Sequence, residues 1–194
     1  MGMVYFELSM SLDGFVAGPN VTVDNPLGDG GERLHDWMFA GRSEAEARAF
    51  EEAVFAPVGA MVMGRRMADL GIGPWGDNPT FHMPVFVVTH DTHDPIVKDG
   101  GTTYSFVTDG LDRALDQARA AAGDKDIAIG GGANIVRQCL AVGVIDEIRL
   151  HLVPMLLGGG VRLFDDGTPT PAELATTSVE QADGAVHLRY RLRR

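Results

Sequence analysis

The sequence predicts an α/β fold: a single domain over residues 1–194, with a mostly parallel central sheet, helices on both faces and an antiparallel C-terminal hairpin. Three observations predict it. Short apolar runs rich in Val, Ile and Met alternate with segments of helical periodicity, the pattern of strand–helix–strand units whose strands run parallel. Two of those runs, ending at Met63 and at Ile129, pass through glycine directly into a helix. Near the end, Val186, Leu188, Tyr190 and Leu192 alternate after an Asp183-Gly184 turn, the signature of a hairpin.

In chain order, Val4 to Leu12 reads as the first strand, followed by Asp13-Gly14 and a loop rich in Gly, Pro, Asn and Asp to about Gly31. A loop of that length in a compact domain points to function. Glu32 to Ala40 reads as a short helix, and Ser43-Glu44-Ala45-Glu46 is a capping box opening a helix to about Phe55. Gly59 to Met63 is a strand, Arg65 to Leu70 a short helix, and Pro84 to Thr89 and Tyr104 to Val107 two further strands. Asp109 is expected to cap a helix that presents Leu111, Ala114, Leu115, Ala118 and Ala122 on one face and stops at Gly123. Ile127 to Ile129 is a strand, Ala133 to Ala141 a helix, and Glu147 to Val153 a strand with Ile148, Leu150 and Leu152 inward. No internal repeat, linker or low-complexity segment divides the chain.

Composition narrows the function classes. Hydrophobic residues make up 45% and charged residues 22%, ordinary for a globular protein with its own core. No apolar run approaches the ~18 residues needed to cross a bilayer, and the N-terminus lacks a signal-peptide pattern, so a cytoplasmic protein without a membrane partner is expected. A net charge of −11 argues against nucleic acid or an anionic membrane as partner. The lone Cys139, on a helix, excludes an internal disulfide and a cysteine metal framework and reads as a buried structural thiol. The six histidines lack metal-ligand spacing, so no metal site is expected.

The motif that carries chemistry is Gly130-Gly131-Gly132, placed between a strand and the helix opened by Ala133 and Asn134. Such a turn presents backbone N–H groups and the positive end of a helix dipole, with no side chain in the way, which suits a phosphate. Gly64-Arg65-Arg66 repeats the strand–Gly–helix pattern and adds two guanidinium groups, whose planar donors match a phosphate monoester or face solvent. Gly71-Ile72-Gly73-Pro74-Trp75-Gly76 has G-x-G-x-x-G spacing, but it follows no strand and reads as a turn. Gly158-Gly159-Gly160 likewise opens no helix. Asp13 reads as a turn former or as an acid. Asp36 beside Trp37 reads as a surface acid or as a carboxyl in an apolar pocket able to donate a proton.

Met10 to Ala17, Val62 to Arg66, Ile127 to Gly132, and Asp146 to Pro154 followed by Leu157 to Gly160 stand in the order found in dihydrofolate-reductase-like proteins. The chain most resembles the branch that includes the reductase domain of the riboflavin-biosynthesis deaminase/reductase, over about residues 3 to 192. That resemblance implies an NADPH-dependent reductase of the dihydrofolate reductase fold, usually a homodimer, acting on a small molecule: a C=N or C=O bond of a heterocyclic or ribosylamino compound. It implies that Gly64 and Arg65 form the turn meeting the 2′-phosphate, with Arg66 assisting. Thr89 and His90 would line the adenosine side, Gly131 and Gly132 the diphosphate, and Ala17 the nicotinamide. Met67 stands where the family often has Thr, so that hydroxyl contact is lost. Asp13, Asp36 and Glu44 are the candidate catalytic acids, and Trp37 is the candidate substrate contact. The family's deaminase half has no counterpart, because H-x-E followed by P-C-x-x-C is lacking. The alternatives are a dihydrofolate reductase and a nucleotide-binding module of the same fold without turnover.

Overall fold

The computed structural model of the protein describes residues 2–165 and 172–193. Strand β1 (Val4–Ser11) leads into a two-stranded antiparallel patch made by β2 (Phe15–Ala17) and β9 (Val161–Arg162). A 3-10 turn (Gly31–His35) runs into α1 (Asp36–Phe39), and α2 (Glu44–Phe55) follows. Next come β3 (Val58–Gly64), α3 (Arg65–Gly71), β4 (Pro84–Val88), β5 (Ile96–Val97), β6 (Thr103–Val107), α4 (Leu111–Ala122), β7 (Asp126–Ile129), α5 (Ala133–Ala141) and β8 (Glu147–Val153). Strands β10 (Leu174–Ala182) and β11 (Ala185–Leu192) close the chain.

The main sheet has the order β10-β11-β8-β1-β7-β3-β4-β6-β5. Its six central strands, β8 to β6, run parallel, so their carboxyl ends share one edge. The hairpin β10–β11 adds antiparallel to β8, turning at Asp183 and Gly184 with φ of 53° and 85°.

Burial follows the strand period on both faces. Val4 and Phe6, Ala60 and Val62, Ile127 and Ile129, and Ile148 and Leu150 pack under the apolar stripes of α4 and α5. Tyr5, Met61, Met63, Val85 and Val87 point the other way, under α3 and Phe55 of α2. Cys139 is fully buried in the first layer, and burial pushes its thiol up to about 12.

The Ser43 capping box is complete: its hydroxyl accepts from the Glu46 N–H, and the Glu46 carboxylate accepts from the Ser43 N–H. The cap expected at Asp109 is not made; Gly110, at φ 89°, takes the N-cap of α4 instead. The rejected glycine motif is indeed a turn after α3, where Trp75 packs so closely on Gly71 that an added Cβ would lie 2.3 Å from its ring. Among the described residues no helix is long and apolar enough to cross a membrane.

Candidate active site

Two glycine turns meet at the carboxyl edge of the sheet. Strands β3 and β7 are parallel neighbours, so Gly64 and the 130–132 triplet leave the sheet side by side. The Gly64 N–H donates to the Gly131 carbonyl at 3.0 Å, and the Gly130 N–H donates to the Val62 carbonyl at 2.8 Å. Gly130 is close-packed: a Cβ there would lie 2.5 Å from Met61 Sδ. Gly131 has φ +96° and is joined to Gly132 by a cis peptide. Gly132 is the N-cap of α5 without a side-chain cap, and a Cβ built on it meets nothing within 4 Å. The first N–H groups of α5, at Ala133 and Asn134, lie next to this open position, at the positive end of the helix. This backbone suits a diphosphate. Asn134 spends its side-chain oxygen on Gln138 Nε2.

The Arg65 guanidinium lies at the same edge. It pairs with Asp69 at 2.6 Å, stands 3.8 Å from an Asp91 oxygen, touches the His93 ring and covers the Phe106 ring. These contacts bring the segment after β4 against Arg65. Thr89 is buried there, its hydroxyl accepting from the Asp91 N–H, and His90 is exposed. Arg66 turns away and donates to the Val21 carbonyl at 3.3 Å. The structure thus brings Gly64, Arg65, Thr89 and the triplet to one region, with Arg66 reaching the long first loop.

Ala17 sits in the β2–β9 patch, its carbonyl so close to Gly160 that a Cβ there would be 2.1 Å from it. The second glycine triplet thereby has a structural role, letting the segment after β8 lie against the first loop. Asp13 completes that junction. Its carboxylate accepts from the Ser11 hydroxyl at 2.6 Å and from the N–H groups of Leu157 and Gly158 at 3.1 and 2.7 Å. The Ser11 hydrogen bond, with those backbone donors, lowers its carboxyl to about 2. A group so ionised and so engaged ties a loop rather than donating a proton, which favours the turn-forming alternative for Asp13. Asp36 opens α1 and Glu44 opens α2, both exposed.

Trp37 is the best-placed of the candidate substrate and acid residues. It is buried, donates from Nε1 to Ser9 Oγ at 2.9 Å, and stacks at 4.2 Å on His151 and 4.9 Å on His187. It forms the wall between two cavities. One of ≈ 230 Å³ lies toward the strand ends and includes Asp36, Val153 and Met155. The other, of ≈ 380 Å³, runs between α2 and the C-terminal hairpin.

The floor of the larger cavity is polar and was not anticipated. Register aligns Glu7 with Arg149 and Arg189, and Ser9 with His151 and His187, so these side chains project from one face of β1, β8 and β11. Burial alone would raise the Glu7 carboxyl, but the hydrogen bond and charge of His151, with Arg149, outweigh it and hold Glu7 below its ordinary range. Arg149 pairs with Glu147 at 2.8 Å and Glu7 at 3.4 Å, and covers the Tyr5 ring at 3.7 Å. Burial pushes the Tyr5 hydroxyl up to about 12. The signal in the sequence was the shared polar phase of three strands: Glu7-x-Ser9, Arg149-x-His151 and His187-x-Arg189.

Residues 3–188 match the RibD C-terminal domain model. The protein YyaP of Bacillus subtilis is 23% identical over 173 residues, covering 84% of this chain and 80% of its own. Two solved structures have the same fold. A proposed riboflavin biosynthesis protein from Shewanella sp. PV-4 superposes over all of both chains at a TM-score of 0.72 and 24% identity. Dihydrofolate reductase from Enterococcus faecalis, complexed with NADP(H), covers 100% of this chain and 98% of its own at a TM-score of 0.55 and 13% identity. With the parallel sheet, the paired glycine turns and a match spanning nearly its whole length, this chain belongs to the RibD C-terminal domain family, with a dihydrofolate-reductase-like fold.

Proposed function

We propose that the protein is an NADPH-dependent reductase of the cytoplasm, acting on a C=N or C=O bond of a small heterocyclic or ribosylamino compound of the riboflavin-pathway kind. The observation that carries this reading is the junction of the Gly64 and Gly131 turns beside an uncapped helix N-terminus, with Arg65 at the same edge. The family match and the NADP(H) bound by the Enterococcus reductase of this fold support it.

When bound, the nicotinamide supplies hydride. This chain's residues do the rest. The N–H groups at the start of α5 hold the diphosphate, and Arg65 exchanges part of its contact with Asp69 and Asp91 for the 2′-phosphate. Thr89 and His90 flank the adenosine. Ala17, held by the β2–β9 patch, shields the nicotinamide from water. Trp37, held by His151 and its bond to Ser9, lines the cavity wall against which a planar heterocycle packs.

The test is a titration of the protein with NADPH and NADH followed by cofactor fluorescence, then NADPH oxidation with a pyrimidine ribosylamine or dihydrofolate. Tighter binding of NADPH with turnover of the ribosylamine is expected. Binding of neither nucleotide overturns the proposal.

We also propose a homodimer. Among the described residues the outer strand β10 pairs on one edge only, and it exposes Val179 and Leu174, a surface suited to a second copy. Light scattering that returns a mass near twice 20.8 kDa is the expected result.

A further inference from the structure

The floor beneath Trp37 carries a hydrogen-bonded chain that cofactor binding does not use. Glu7 Oε1 lies 3.1 Å from His151 Nε2, and His151 Nδ1 lies 2.7 Å from His187 Nδ1. His187 Nε2 lies 3.2 Å from the Ala182 carbonyl oxygen. Each contact needs one hydrogen between its two heavy atoms. Two neutral imidazoles bring one hydrogen apiece, and an ionised carboxylate and a carbonyl bring none. Three contacts therefore require one proton more than the neutral rings hold.

The Ala182 carbonyl only accepts, so His187 Nε2 carries a hydrogen. With the Glu7 carboxylate ionised, His151 Nε2 carries the second. The third lies between the two Nδ1 atoms, so the pair of rings together holds one proton more than two neutral imidazoles.

We propose that Glu7, His151 and His187 are the proton-donating chain of this reductase, delivering a proton from His187 Nε2 to the substrate heteroatom as hydride reaches the adjoining carbon. The proposal rests on the reductase reading above. The step balances. Hydride from the reduced nicotinamide and one proton convert C=N to CH–NH, or C=O to CH–OH. His187 releases its Nε2 proton, turning from the Ala182 carbonyl, the longest of the three contacts. The proton between the two Nδ1 atoms then rests on His187 Nδ1, and His151 is left neutral with its Nε2–H toward the Glu7 carboxylate. Water then restores the missing proton.

The surroundings fit a charged pair of rings. From β8, Arg149 faces the site already matched by Glu147 and Glu7. From β10 and β11, Glu180 lies opposite His187, and Arg189 lies two residues beyond it. From the 3-10 turn, His35 is held by burial below the usual histidine range, so it adds no competing charge at neutral pH. Asp183 lines the same cavity, and Phe50 and Val54 of α2 with Trp37 cover it with apolar surface. In the sheet, β8 and β1 separate β11, which carries His187, from the cofactor-side strand β7, so the two strands lie about 14 Å apart.

The experiment is nitrogen-15 NMR of histidine-labelled protein, wild type, E7Q and H187N, each checked for folding by thermal melting and for NADPH affinity. Three of the four ring nitrogens of His151 and His187 are expected to be protonated at pH 7.5 in the wild type, and only two in E7Q. Only two protonated nitrogens in the wild type overturn the proposal. In turnover of the pyrimidine ribosylamine, H187N should lower the rate about 100-fold with NADPH affinity within twofold of wild type. An unchanged rate also overturns it. If the wild type binds no nicotinamide nucleotide, the reductase reading fails, and with it the donor role. A third proton on the two rings would then survive as a separate structural result.

Discussion

Replacing the three glycines of the β7–α5 turn by alanine, one at a time, should separate folding from binding. At Gly130 a Cβ would stand 2.5 Å from Met61 Sδ and 3.0 Å from its Cγ, and Met61 is itself buried. Over-packing of that kind costs about 1–3 kcal/mol. For a chain of this size each kcal/mol lowers Tm by about 2–4 °C, so Gly130→Ala should melt roughly 2–12 °C lower. At Gly131 the φ of +96° makes alanine strained by about 1–3 kcal/mol, with a similar loss. At Gly132 φ is −74° and the new methyl meets nothing, so stability should stay within about 0.5 kcal/mol. In the proposed binding mode the diphosphate passes this open position to reach the α5 N–H groups, so the methyl should weaken NADPH at least about tenfold, which is ~1.4 kcal/mol. Thermal melts and NADPH fluorescence titrations of the three variants decide it. A stable Gly132→Ala protein with wild-type NADPH affinity would refute the diphosphate assignment.

Arg65→Ala should weaken NADPH by about 10- to 150-fold, the equivalent of a charge-assisted pair worth ~1.5–3 kcal/mol, and leave NADH nearly unchanged; parallel titrations check this, and equal losses sink the 2′-phosphate role. The Asp13 carboxyl lies at about 2 in the fold against 3.8 ordinarily, so its contribution is complete above about pH 4 and is lost as pH falls toward 2. Melts of Asp13→Asn across that window should show less acid sensitivity than wild type. Trp37→Phe removes the buried hydrogen bond to Ser9 and should cost about 1–3 kcal/mol, seen as a fall in Tm. Cys139, buried and with its thiol raised to about 12, should react with a disulfide reagent only after denaturation.

Local signals were legible in the sequence and long-range ones were not. The Ser43 capping box, the Gly123 stop and the Asp183-Gly184 turn each depend on residues a few positions apart, and each is present in the structure. Strands β2, β5 and β9 are two or three residues long, too short to display a period, so β2 falls inside the segment that reads as the first loop. Asp109 fails as a cap because Gly110 follows it and adopts a φ closed to other residues. The glycine turns were readable because a strand, a glycine and a helix are contiguous. The Glu7–His151–His187 chain was not. Its members lie 144 and 36 residues apart, and their alignment depends on strand register that periodicity does not encode. In β8 and β11 periodicity reads the apolar phase, Ile148-x-Leu150 and Val186-x-Leu188, and the polar phase lies between.

The central place of β1 has a consequence for synthesis. This strand is made well before its neighbours: the Met3 N–H bonds to Asp126, 123 residues on, and the Val4 N–H to Asp146, 142 residues on. At translation speeds of 5–20 residues per second, the nascent strand waits roughly 6 to 30 s for its partners. During that interval Val4, Phe6 and Leu8 have no layer to enter, and the half-made sheet offers two open edges. Conditions that slow elongation, or truncations before β8, should therefore yield aggregated chains even where the finished protein is stable.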